Sequence, residues 1–166
     1  MATINHTDIT LKIEDQNGTY RVASSEEIIK AAHVAINHRF CQGKAITAPA
    51  DSQEFLKLRL AHLEHEVFAV LWLDNRHRVL AFEELFRGTI DGSSVHPREV
   101  AKSALEHNAA ACILAHNHPS GISDVSTADK TITSKLKDTL SLIEVRVLDH
   151  IIVGKNCLSM AEQGLL

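Results

Sequence analysis

The chain is expected to fold as an α/β protein, with helices packed on a mixed central sheet. Two observations point there. Glu66 to Asp74 and Ala110 to Ala115 are nearly continuous apolar runs, the pattern of strands buried on both faces. The stretches that alternate with them carry apolar residues at three- and four-residue spacing, the pattern of helices lying on such a sheet. At 166 residues the chain is long enough for one compact domain with a real core.

The elements follow in order. Ile9 to Ile13 and Thr19 to Val22 alternate in polarity around Asn17-Gly18 and read as a small hairpin. Ser24 or Ser25 can cap a helix reaching about Phe40, with Ile28, Ile29, Ala32, Ala35 and Ile36 along one face. Gly43 to Pro49 is a break. Asp51 or Ser52 can cap a second helix with a stripe of Phe55, Leu56, Leu60 and Leu63. The buried run at Glu66–Asp74 is a strand, Asn75–Arg78 a turn, and Val79–Arg87 an antiparallel partner that ends at Gly88. Pro97 suits the first turn of a helix to about Asn108, with Val100, Ala101, Ala104 and Leu105 turned inward. Ala110–Ala115 is the next strand. A polar loop leads to a helix over about 127–142, striped by Ala128, Ile132, Leu136, Leu140 and Ile143. Val145–Val153 is a further strand closed by Gly154, and Cys157–Met160 a short last one. The segment 1–45 is an extension of hairpin and helix ahead of a domain over 46–166.

Composition narrows the function. Hydrophobic residues make up 45% and charged residues 23%, ordinary for a soluble protein. No apolar run approaches the ~20 residues that span a bilayer, so no membrane partner is expected. The first six residues lack a basic region followed by an apolar one, so no secretory signal is expected. Cys41, Cys112 and Cys157 are odd in number and form no Cys-x-x-Cys pair, which argues against a disulfide framework and fits a cytoplasmic protein. Seventeen Lys and Arg against 21 Asp and Glu leave a net charge of −4, which speaks against a broad nucleic-acid-coating face. The eleven histidines make convergence the question.

The informative stretch runs from His116 to Asp129, after a buried strand, where α/β folds commonly place their sites. Residues two apart in extended chain point the same way, so His116 and His118 can aim two imidazoles at one point. Pro119 and Gly121 turn the chain into the next helix, and Asp129 falls in its first turn. Two histidines and a carboxylate suit Zn2+ with its fourth position left to water. Zinc lowers the pKa of such a water to about 7. A blander reading stands beside this one: Ser126-x-x-Asp129 also has the form of a capping box.

The spacing His-x-His, seven residues, Ser, two residues, Asp is that of the JAMM (MPN) metalloprotease motif. The words Glu84-Leu85-Phe86-Arg87-Gly88-Thr89, His96-Pro97-Arg98-Glu99-Val100, Ala115-His116-Asn117-His118-Pro119-Ser120-Gly121 and Leu148-Asp149-His150-Ile151-Ile152-Val153-Gly154 resemble the RadC (UPF0758-type) family, from about residue 50 to the C-terminus. The resemblance implies a cytidine-deaminase-like α/β/α sandwich with a mixed sheet, a JAB/MPN domain. It also implies that His116, His118 and Asp129 are zinc ligands. In that superfamily a glutamate on an early strand is the general acid/base. Glu64, Glu66, Glu83 and Glu84 are available here, and Glu66 is chosen because it opens its strand as the family glutamate does. Ser126 stands at the superfamily serine, which steadies the oxyanion.

A zinc-dependent metallopeptidase or isopeptidase acting on a peptide or protein follows as the expectation. The alternatives are a DNA repair or processing module, suggested by the family's traditional name, and a metal-binding interaction domain without catalysis. A zinc deaminase would need a Pro-Cys-x-x-Cys ligand pair, which the sequence lacks. His96 and Arg98 are read as a helix cap and a surface ion pair, His150 as a satisfied core histidine, and Cys112 as core filler.

Overall fold

The computed structural model describes residues 11–14, 18–41, 45–46, 48–88 and 95–166. Its contacts divide the chain into two compact units, Met1–His38 and Arg39–Leu166.

In the first unit, β1 (Lys12–Glu14) pairs antiparallel with β2 (Tyr20–Val22), and α1 (Ser25–Cys41) begins within it. Glu27 caps α1 by accepting from the Ser24 N–H at 2.9 Å, while Ser24 Oγ accepts from the Glu27 N–H at 3.2 Å. Ile9, Thr10 and Asn17 of the expected hairpin, and the side chain of Ile36, lie outside the described residues. The expected apolar face of α1 is only partly covered: Ile28 and Ala32 are half-buried, but Ile29 and Ala35 are exposed.

The second unit is built on a five-stranded sheet in the order β4-β3-β5-β6-β7. These strands are β3 (Val67–Leu73), β4 (Val79–Arg87), β5 (Ala111–Asn117), β6 (Arg146–Val153) and β7 (Cys157–Ser159). Only the β5–β6 pairing is parallel, so the sheet is mixed, as expected. Every residue of β3 and β5 is buried, which is why both read as unbroken apolar runs.

Helices cover both faces. The face carrying Phe68, Val70, Trp72, Cys112 and Leu114 packs against Val100 and Ala104 of α3 (Pro97–Glu106) and Leu136 and Leu140 of α4 (Thr127–Ser141). On the opposite face α2 (Pro49–Leu60) buries Phe55, Leu56 and Leu60, and the Phe55 ring meets Phe82 edge-on at 5.6 Å. Each such side chain taken out of water contributes about 1.5–3 kcal/mol, so the sheet is clamped from both sides. Among the described residues no helix is long and apolar enough to cross a membrane.

Three local expectations are corrected. The second helix starts at Pro49, ahead of Asp51 and Ser52, because the fixed φ of proline suits the first helical position. Asp51 instead sits one turn in and accepts from the Ala48 N–H at 3.3 Å. In α3 the inward stripe is Val100, Ser103 and Ala104; Leu105 is 63% exposed, one step round the helix from Ala104. Finally, β5 runs on through His116 and Asn117, because their backbone pairs with Ile152 and Val153 of β6. His116 therefore lies inside a strand rather than after it.

Candidate metal centre

The site forms where the end of β5, the start of β3 and the first turn of α4 meet. His116 belongs to β5 and is fully buried. The ladder continues one residue further, since the His118 N–H donates to Val153 O at 2.9 Å. His118 thus keeps extended geometry, and its ring falls on the same side as that of His116, with the two Nε2 atoms 2.9 Å apart. His118 Nδ1 lies 2.6 Å from Ile122 O. A carbonyl only accepts, so Nδ1 carries a proton, and Nε2 is the ring nitrogen that faces the site.

The turn after His118 is held by backbone. Gly121 N–H donates to His118 O at 2.8 Å, and Lys155 N–H donates to Gly121 O at 2.9 Å. Gly121 has φ +80°, open to glycine and costly for other residues. Gly154 must also be glycine, for a different reason. A Cβ there would lie 2.6 Å from Gly121 O and 3.1 Å from Ser123 N. Gly154→Ala is therefore expected to push the His118–Ser123 turn out of place. The cost should be about 1–3 kcal/mol by the usual scale of overpacking, read as a lower denaturation midpoint. An unchanged midpoint would contradict it.

Asp129 enters from the other side. The capping box expected as the bland reading exists: Ser126 Oγ accepts from the Asp129 N–H at 3.1 Å, and the Ser126 N–H donates to Asp129 Oδ2 at 2.7 Å. The cap does not compete with a site; it aims one. With Oδ2 tied to the backbone, Oδ1 points inward, 3.2 Å from His116 Nε2. That oxygen is buried and accepts no hydrogen bond. A buried carboxylate oxygen without a donor is costly, and here it lies 3.2 Å from His116 Nε2. Histidine nitrogens beside a carboxylate are donors that fit a divalent cation. Ser126 itself remains exposed.

Glu66 directly precedes β3, and its Oε1 lies 4.0 Å from His118 Nε2. Donor atoms of Glu66, His116 and His118 lie within 4.8 Å of one another, so among the described residues these three form the possible metal-holding group, and Asp129 is not part of it. The other glutamates are placed elsewhere. Glu64 is exposed. Glu84 pairs with Arg87 at 3.2 Å. Glu83 accepts from Trp72 Nε1 at 3.2 Å and from the Ser103 hydroxyl, and pairs with His107. Burial pushes its carboxyl up, but the bonds from Ser103, His107 and Trp72 outweigh this and hold it below the ordinary value.

Two supporting residues escaped the sequence reading. Asn117 sits between the two histidines and points to the other side of the strand. Its Oδ1 accepts from the Val67 N–H at 2.8 Å, and its Nδ2 donates to His65 O at 3.0 Å, pinning the backbone on either side of Glu66. His150 is fully buried, as a core histidine should be, but its ring partner is His116: Nε2 lies 2.9 Å from His116 Nδ1. Cys112 is core filler, and burial drives its thiol pKa far up.

Burial lowers the pKa of His116 to about 4, with His118 adding to the shift and Asp129 opposing it. Burial also lowers that of His150 well below the ordinary value. Both groups bind protons more readily once unfolded, where an ordinary histidine titrates near 6.5. Their neutral burial is therefore harmless above about pH 6.5, and stability is lost as pH falls from about 6.5 toward 4. Denaturant melts of the metal-free protein across that window should show a falling midpoint, and a flat profile would contradict the depressed values.

A family model described as RadC-like JAB domain matches residues 46–165. A UPF0758 protein of Thioalkalivibrio sulfidiphilus is 53% identical over 149 residues, covering 90% of this chain and 67% of that protein. One of Nitrosococcus oceani is 64% identical over 126 residues, covering 75% of this chain and 56% of that protein. One of Vibrio cholerae serotype O1 is 51% identical over 144 residues, 87% of this chain and 91% of that protein. The chain thus spans little more than half the length of the second of these relatives and two thirds of the first.

Proposed function

Because the chain belongs to the RadC-like JAB domain family, we propose that it is a zinc-dependent hydrolase, cleaving a peptide or isopeptide bond with a metal-activated water. The observation that carries this reading is the buried Oδ1 of Asp129, without a hydrogen-bond donor, 3.2 Å from His116 Nε2, which itself lies 2.9 Å from His118 Nε2. Those three atoms would hold the ion. When bound, zinc lowers the pKa of a coordinated water to about 7 and so supplies a nucleophile at neutral pH.

The rest of the chemistry belongs to the chain. Glu66 is more exposed than His116 or Asp129, which suits a proton carrier better than a ligand. It takes the proton of the attacking water and passes it to the leaving nitrogen. Asn117 holds the backbone around Glu66 while it does so. The exposed hydroxyl of Ser126 donates to the carbonyl oxygen as that oxygen gains charge. Its other role, accepting from the Asp129 N–H, leaves its proton available. A cleft of about 350 Å³ borders His118, lined among others by Lys57, Leu63, Ser120 and Lys155, and gives room for the residues that flank the scissile bond. The net charge of −4 favours a peptide or protein substrate over nucleic acid.

The test is a peptide library presented to protein that has been stripped by chelator and then reloaded with zinc, with new termini read by mass spectrometry. Cleavage should appear only in the reloaded sample. No cleavage in the reloaded sample, or equal cleavage in both, would overturn the reading.

A further inference from the structure

We infer that His150 and Thr133 are positioning residues that hold His116 in the one tautomer able to bind a metal. The inference rests on the metal-centre reading above and adds to it a buried relay of three side chains on three different elements.

The relay can be followed proton by proton. Thr133 lies one turn beyond Asp129 on α4, and its Oγ1 is 2.5 Å from Asp129 O. Two oxygens that close need a proton between them, and a backbone carbonyl has none to give, so the hydroxyl donates. Met160 Sδ, 3.7 Å from that hydroxyl, likewise has no proton to give. The hydroxyl's single proton is therefore committed. Thr133 Oγ1 also lies 2.6 Å from His150 Nδ1, so that contact requires His150 Nδ1 to be the donor.

A neutral imidazole has one N–H, so His150 Nε2 must carry a lone pair. It sits 2.9 Å from His116 Nδ1, which must then donate. By the same rule His116 Nε2 is left bare. That is the nitrogen 3.2 Å from Asp129 Oδ1 and 2.9 Å from His118 Nε2. The opposite tautomer would put a hydrogen where the ion belongs.

The surroundings allow no easy alternative. His116, His150 and Thr133 are all buried. The Phe68 ring meets His150 edge-on at 5.7 Å. The carboxylate next in sequence, Asp149, is taken up by Ser159 Oγ and by the N–H groups of His150 and Ala161. A metal-binding histidine usually donates its second N–H to a carboxylate, a carbonyl or water. Here a second histidine takes that place, and the carbonyl of Asp129 closes the chain through Thr133. One turn of α4 therefore supplies both a ligand oxygen and the anchor that orients a ligand nitrogen.

Two measurements test this. In wild-type, metal-free protein with 15N-labelled histidine, long-range proton–nitrogen correlation should find His116 protonated at Nδ1 and bare at Nε2. Protonation at Nε2 would overturn the relay without recourse to any variant. Zinc titration then compares wild type with two substitutions. His150→Leu removes the acceptor and should weaken zinc binding about 10–100-fold, the usual effect of losing a partner behind a ligand. His150→Gln offers an amide oxygen to His116 Nδ1 and should recover most of that loss. If wild type binds zinc and His150→Leu binds equally well, the relay fails while the metal centre stands. If wild type binds no zinc, the metal centre itself fails.

Discussion

Glu66→Gln is expected to abolish hydrolysis while leaving the metal in place. The substitution keeps the size of the side chain and removes only its ability to carry a proton. General acid–base catalysis by one group contributes about 10²–10⁴-fold, so turnover on any peptide the wild type cleaves should fall by about that factor. The metal content of the same preparation decides between two roles. Glu66 Oε1 lies 4.0 Å from His118 Nε2, and Glu66 groups with both histidines as a possible metal holder. Unchanged zinc with lost activity assigns the proton-carrying role. Lost zinc would make Glu66 a ligand, and retained activity would put the base elsewhere.

Asp129→Asn should act in opposite directions on metal binding and on stability. In the metal-free protein the wild-type Oδ1 is buried without a donor, 3.2 Å from His116 Nε2. Asparagine keeps an oxygen for the Ser126 N–H and can turn its amide N–H toward the bare Nε2. An orphaned acceptor pair then becomes a hydrogen bond, worth about 1 kcal/mol. The metal-free variant should melt higher than the metal-free wild type. Its zinc affinity should fall by at least about 100-fold, beyond what loss of a partner behind a ligand produces. That opposition is the mark of a strained functional site. A variant that loses stability and keeps zinc would show that Asp129 serves only as a helix cap.

Much of the fold could be read from the chain because its signals are local. The runs at Val67–Leu73 and Ala111–Ala115 are apolar throughout since both faces of those strands are covered, and the fixed φ of Pro97 suits the first turn of a helix. The end of β5 could not be read that way. His116 and Asn117 look like loop, and only pairing with β6 makes them strand. The site divides along the same line. His116, His118, Ser126 and Asp129 lie within one short stretch, and their spacing alone suggests convergence. The choice among four glutamates depended on which one the sheet carries to His118, and distance along the chain is silent on that. His150 looked like a core histidine because it is one. Its partner lies 34 residues away, and nothing near Leu148-Asp149-His150 in sequence points to it. Asn117 had no signal beyond standing between two histidines, since its contacts reach back 50 and 52 residues.

The central claim is a built metal centre at His116, His118 and Asp129. Elemental analysis of protein purified without chelator, followed by zinc titration of the stripped form, tests it most directly. An open three-ligand site predicts about one zinc per chain, lost in Asp129→Asn, with the melting temperature of the stripped protein rising as zinc is added back. Protein that purifies metal-free and whose melting temperature zinc leaves unmoved would contradict it.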